Sequence, residues 1–196
     1  MKQSQLLAQQ FNSLQIKLEE YERNSTLQVT ESVKIINRIT KELAEVNGKL
    51  GNNNIPELLD HRDELLKQLS GYTDLSIFDQ GDGTISVGIA SGDMLVAGTQ
   101  QRDLVVGTGK DSIFGTKIFL SSGGNNQVDI TDRLTTGMLG GLIDYEKNVL
   151  GQASQLIGQM AIGLAQTFNT QHKLGMDMNS QIGKDFFTDF NSRDRC

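Results

Sequence analysis

The sequence predicts an α+β protein: an elongated antiparallel helical bundle with long coiled-coil-like helices, plus a small Gly-rich antiparallel β domain. Three observations predict it. The first 50 residues repeat apolar side chains at spacings near 3.5 and hold a single glycine, Gly48. Residues 71–124 then hold 11 of the 21 glycines and change to a period of two. Beyond Thr136 a spacing by sevens returns. These changes divide the 196 residues into a helical part at 1–71, a small β domain at 72–131, a returning long helix at 132–174, and an irregular segment at 175–196.

The first helix is read from Leu7, Phe11, Leu14, Leu18, Tyr21 and Ser25, which alternate by four and three. The stripe restarts one residue later as Val29, Ser32, Ile36, Ile39, Leu43, Val46 and Leu50. Heptad spacing over this length marks a helix packed on other helices, and the extra residue lets the stripe catch up with the 3.6 period. The seam can pack within the chain or against a second copy, and the residues alone leave both open. Gly48, Gly51 and the run Asn52-Asn53-Asn54 stop the helix. A second helix starts at Pro56, suited to a first-turn position, and runs through Leu58, Leu59, Leu65, Leu66 and Leu69 to Gly71. The short link implies an antiparallel return.

From Tyr72 the pattern is that of strands. Asp74–Phe78 and Thr84–Ala90 flank Gly81-Asp82-Gly83, a hairpin signature because such turns need positive φ angles. Further strands are expected at Met94–Ala97, Asp103–Val106, Lys117–Leu120 and Gln127–Ile130, forming a meander or a partly closed sheet. In the returning helix Ile143, Leu150, Ile157 and Leu164 are spaced by sevens. Gly151, Ala153, Ser154, Gly158, Ala161, Gly163 and Ala165 make it narrow. Each helical glycine costs about 1 kcal/mol of propensity, so narrowness makes sense where another helix lies close. The expected core residues are Leu14, Leu18, Ile36, Leu43, Leu65, Ile157 and Leu164.

Composition excludes several classes. The longest uninterrupted apolar stretch is Met94–Ala97, far below the ~20 residues of a membrane helix. No apolar block follows Met1 and Lys2, so no cleavable signal peptide is expected. A net charge of −6 and a pI near 4.9 argue against a nucleic-acid footprint. Cys196 is the only cysteine, and His61 and His172 stand far apart, so neither a disulfide nor a structural zinc site is expected.

The motifs that could carry chemistry are incomplete. Asp60, Arg62, Asp63 and Glu64 could include an acid/base couple, but their spacing is that of a charged helix face that pairs with a neighbouring helix. Gly107-Thr108-Gly109-Lys110 has part of a phosphate loop, but Leu104 and Asp111 stand where that loop needs Gly and Ser or Thr. Asp177-Met-Asn179-Ser-Gln181 starts like a calcium loop, but Ile182 and Thr188 replace its glycine and its bidentate Glu. Both histidines read as helix-surface residues. No catalytic, cofactor or metal site is expected, and the chain does not read as an enzyme.

Three stretches in order carry a resemblance. They are Glu57–Leu69, Gly137–Asp144, and Ala161–Asn169 continuing through Gln171-His172 and Gly175–Asp177 to Gly183–Phe187. Together they resemble the flagellar hook-associated protein 1 (FlgK) family over roughly residues 5–188. The resemblance implies a structural junction subunit between hook and filament, extracellular in the bacterial flagellum and exported through the flagellar channel. It implies as partners other copies of the same subunit in a ring, the hook protein, the next junction protein, and an export chaperone for the full-length protein. It places the long helices in a rod-like inner domain and residues 73–130 in an outward β domain. It also implies an internal fragment, because the small apolar and Asn-rich terminal assembly segments of the family are not matched at Met1 or at Asn191–Cys196. Such a fragment is expected to be a soluble monomer. The alternatives are another axial flagellar protein, flagellin-like, and a dimeric coiled-coil binding module.

Overall fold

A computed structural model describes residues 2–51, 55–89, 92–108, 115–121, 123, 126–176, 178 and 180–188. The chain is α+β. Helix α1, Lys2–Leu50, runs without a break because no Pro and no internal Gly before Gly48 interrupt it. Helix α2, Pro56–Ser70, begins on its proline, where a missing N–H costs nothing. Seven strands follow: β1 Leu75–Asp79, β2 Ile85–Ile89, β3 Asp93–Ala97, β4 Gln100–Gln101, β5 Leu104–Thr108, β6 Thr116–Ser121 and β7 Gln127–Asp129. A 3-10 turn at Thr131–Arg133 leads to α3, Gly137–Asp144, a π-helical turn at Tyr145–Leu150, and α4, Gly151–Lys173.

The strands make two separate antiparallel sheets, β1-β2-β3-β4 and β5-β6-β7, where a single meander or partly closed sheet was expected. The division falls after Gln101, where Arg102 N–H donates to Leu95 O and the chain leaves the first sheet. In the first sheet Asp79 pairs with Ile85 across the glycine turn. β2 lies between β1 and β3, and all five of its residues are buried. In the second sheet β6 alternates buried Thr116, Ile118 and Leu120 with half-buried neighbours, the signature of one packed face.

The chain divides into two compact units, residues 20–151 and residues 1–19 with 152–196. The borders cut α1 and the helical run after Gly137, and do not follow the compositional borders at 71/72 and 131/132. The reason is that helix and sheets share one core in the larger unit. From α1 it takes Val29, Val33, Ile36, Ile39, Leu43, Val46 and Leu50, which meet Leu65 and Leu69 of α2, Val87 and Ile89 of β2, Leu95 of β3, Ile118 of β6 and Leu139 of α3. Fully burying one such side chain stabilises by roughly 1.5–3 kcal/mol. The start of α3 is tied to the end of α2 by Met138 N–H donating to Gly71 O and Leu139 N–H to Tyr72 O, which occupies two of the free donors of a helix N-terminus.

The expected core residues fall on both sides of this division. Ile36, Leu43, Leu65 and Leu18 are buried. Leu14 is not: it is 46% exposed. Ile157 and Leu164 are half-buried. The physical reason lies in the smaller unit, whose described residues include no named strand to pack on. Among its described residues only Leu18 and Asn169 are buried, so the first half of the α1 stripe has far less to press against than residues 29–50.

Candidate functional site

The smaller unit carries an unusual surface. From Gly151 to Gln171 helix α4 holds no charged side chain. Leu156 and Met160 are 59% and 63% exposed, and Ile162 and Phe168 are exposed beside them. The segment after α4 adds exposed Leu174, Met176 and Ile182. Soluble helices ordinarily keep a charged outer face, and absence of charge with exposed large apolar groups is the mark of an interaction surface. In this unit Lys2, Lys17, Lys173, Lys184, Arg193 and Arg195 stand against Glu19, Asp177, Asp185, Asp189 and Asp194, a balance of +1. Residues 20–151 therefore carry −7 of the chain's total of −6.

The segment after α4 is pinned back on the helix by side chains. Asn169, buried, accepts from Phe186 N–H at 2.9 Å and Phe187 N–H at 2.8 Å, and its Nδ2 donates to Phe187 O at 2.8 Å. His172 Nδ1 donates to Lys184 O at 2.6 Å, which fixes the tautomer with the proton on Nδ1. Lys173 pairs with Asp185 at 2.7 Å. Gly183 passes so close that a Cβ would stand 2.0 Å from His172 O, so no larger residue fits. Phe187 meets Phe168 edge-on with ring centres 5.9 Å apart. It also lines a cleft of about 270 Å³ with Leu7, Phe11 and Leu164.

In the larger unit two asparagines of α1 hold the sheets. Asn47, fully buried, donates from Nδ2 to Ile85 O at 2.8 Å and Gly98 O at 2.7 Å, and accepts from Ile85 N–H at 3.2 Å. Its amide continues the β2–β3 ladder beyond the last pair, Ser86 with Ala97. Asn37 does the same for β5, exchanging two bonds of 2.8 Å with the N–H and C=O of Leu104. Near the 3-10 turn run three ion pairs: Arg133 with Asp93 at 2.8 Å, Lys147 with Asp132 at 2.9 Å, and Lys117 with Asp129 at 3.1 Å. The Lys147 ammonium holds the Asp132 carboxyl below its ordinary range. Burial pushes Asp129 up, but hydrogen bonds from Thr131 and the charge of Lys117 outweigh it and leave that carboxyl lowered too.

The charged cluster of α2 comes apart in space. Arg62 turns to the hairpin and donates to Gly83 O at 3.3 Å, with Asp63 3.9 Å away. Glu64 accepts from Gln68, and Asp60 stays exposed. The contact to the neighbouring helix is made by His61, whose Nε2 lies 3.0 Å from Glu42 Oε1. Gly107 and Thr108 finish β5, while Gly109, Lys110, Asp177, Asn179 and Cys196 lie outside the described residues. Among the described residues no three His, Cys, Asp or Glu side chains are grouped to hold a metal ion. No described helix is long and apolar enough to cross a membrane.

The model of the flagellar hook-associated protein FlgK helical domain matches residues 1–187. The chain belongs to the FlgK family. Flagellar hook-associated protein 1 of Escherichia coli K12 is 31% identical over 192 residues, covering 94% of this chain and 35% of the relative. The protein of that name from Salmonella typhimurium is 31% identical over 191 residues, covering 93% and 34%. The chain thus spans about a third of the length of these FlgK relatives. The structure of the flagellar hook junction protein FlgK from Burkholderia pseudomallei superposes with a TM-score of 0.82 at 26% identity, covering 92% of this chain and 34% of that one.

The three asparagine clamps escaped the sequence reading, because a polar residue in a helix reads as surface. One signal was available for Asn47. It sits between Val46 and Leu50 at the end of an otherwise apolar stripe, a place where a polar side chain has to find buried partners.

Proposed function

We propose that this chain is the helical-domain part of a structural junction subunit of the bacterial flagellum, joining hook to filament and permitting filament assembly. The observation that carries this reading is the charge-free, apolar surface of α4 in a unit with almost no core of its own. Such a surface contributes by packing against other protein, and bond-making chemistry is not needed for it. The subunit is therefore read as no enzyme and as needing no cofactor. Its partners are other copies in the junction ring, the hook protein and the next junction protein, with an export chaperone serving the full-length protein before assembly. Its place is outside the cell, reached by export through the flagellar channel. By the family resemblance the long helices belong to the rod-like inner domain and residues 73–130 to an outward β domain.

The test is electron microscopy of cells lacking the full-length gene, with flagellin assayed in the medium. Bare hooks and flagellin lost to the medium support the junction role. Normal filaments and normal swimming overturn it. Complementation with full-length protein carrying Met160→Lys tests the surface itself. Secreted but non-assembling subunits are expected, and full motility would show that the face is not used.

A further inference from the structure

Two costly features meet at residues 145–150. The first is the π turn itself, which inserts one residue into an α-helical run and is rare in proteins. There Gly151 N–H donates to Glu146 O, five residues back. The second is the Glu146 carboxylate, 2% exposed. A buried carboxylate is expensive unless its oxygens are fully hydrogen-bonded, and among the described residues these oxygens take their bonds from Thr116. Thr116 N–H donates to Oε2 at 2.8 Å and Thr116 Oγ1 to Oε1 at 3.1 Å. Because the Thr116 hydroxyl proton is committed to Glu146, the 3.1 Å contact between Thr26 and Thr116 must have Thr26 as donor. A directed chain therefore runs from α1 through the first residue of β6 to the π turn.

Packing alone does not account for this arrangement. Leu139, Ile143 and Leu150 share the buried face with Glu146, and a leucine at 146 would fill it without burying charge. We infer that the Glu146–Thr116 pair is a latch that selects the π register: the widened turn brings residue 146 to the start of β6, and the two bonds hold it there. Lys147 and Asn148 are fastened outside, to Asp132 at 2.9 Å and Asp144 at 2.6 Å, so the turn is gripped on both its faces. With the latch open the turn closes to an α-helix. Gly151 N–H then moves from Glu146 O to Lys147 O, the partner four residues back. The strand end of one sheet thus sets the register of the turn itself, and this latch does not rest on the reading given under Proposed function.

The experiment is direct detection of hydrogen-bond partners by trans-hydrogen-bond couplings in the perdeuterated chain. Wild type is expected to show the Gly151–Glu146 coupling. Thr116→Val, which deletes one donor at constant shape, and Glu146→Gln, which makes one oxygen an amide, are expected to replace it by Gly151–Lys147. Thr116→Ser keeps the hydroxyl and is expected to retain the wild-type pattern. Persistence of the Glu146 partner in both Thr116→Val and Glu146→Gln would overturn the latch whatever happens to the melting temperature, since a simple staple lowers stability without changing register. A Lys147 partner in wild type or in Thr116→Ser would overturn it equally. Should Glu146→Gln not fold, Thr116→Val decides.

Discussion

Replacing Asn47 by Ala should show what a side-chain amide contributes to holding a sheet on a helix. The substitution removes three hydrogen bonds at a fully buried position and strands Ile85 N–H, Ile85 O and Gly98 O. A net buried hydrogen bond contributes about 0.5–1.5 kcal/mol, and an unsatisfied buried group costs about 1–3 kcal/mol. The carbonyls keep other routes to partial satisfaction, whereas the N–H does not, so a total near 3 kcal/mol is expected. For a chain of this size that is a fall in melting temperature of roughly 6–12 °C, read by far-ultraviolet circular dichroism. Asn47→Asp should be worse at neutral pH, because a carboxylate oxygen then faces two carbonyl oxygens where Nδ2 now lies 2.8 and 2.7 Å away. Gln68→Ala is the control: that side-chain amide donates to Glu64 on an exposed helix face, and a change within about 0.5 kcal/mol is expected. A melting temperature for Asn47→Ala within 2 °C of wild type would refute the view that this amide serves as a length of strand.

Three further outcomes are expected. Gly158 has open space where a Cβ would stand, so Gly158→Ala should stabilise the isolated chain by about 1 kcal/mol, measured by urea denaturation; loss of motility from the same change in the full-length subunit would reveal a neighbour pressed against that glycine. Ile36→Ala should cost about 2–5 kcal/mol and Leu14→Ala under about 1 kcal/mol, since one is fully buried and the other 46% exposed; equal costs would contradict the division between the two units. Asp129 has a carboxyl held below its ordinary range in the folded state, so its contribution is present above a pH of about 4 and is lost as the pH falls through the lower, folded value. Asp129→Asn should flatten the dependence of the urea midpoint between pH 6 and pH 3, and an unaltered slope would count against the Thr131 and Lys117 contacts.

Much of the framework was legible because it rests on local rules. The hairpin turn was found from Gly81-Asp82-Gly83, and Gly81 and Gly83 do take positive φ angles of 77° and 85°. The buried stripe Val29 to Leu50 followed from periodicity, and α2 from Pro56 and its leucines. What escaped depends on partners that periodicity does not see. Strand spacing tells where strands lie but not which pair, so one meander was expected and two sheets are found. Leu14 obeys the same heptad as Ile36, yet burial depends on what the fold brings opposite, and only the later residues meet strands. The π turn is invisible to a spacing by sevens, since Ile143 and Leu150 remain buried across it.

Asn37 and Asn47 stand ten residues apart on one unbroken helix, which at 1.5 Å per residue places them about 15 Å apart along its axis. Each grips the first residue of a strand, Leu104 in one sheet and Ile85 in the other. Helix α1 is thus a ruler, with two notches cut at a fixed distance, against which both sheets are measured as they form. One residue inserted between the notches would turn one amide by about 100° and carry it 1.5 Å along the axis, beyond the reach of its strand. The length of α1 between these two asparagines is therefore far less free to vary than the hairpin loops of the sheets it aligns.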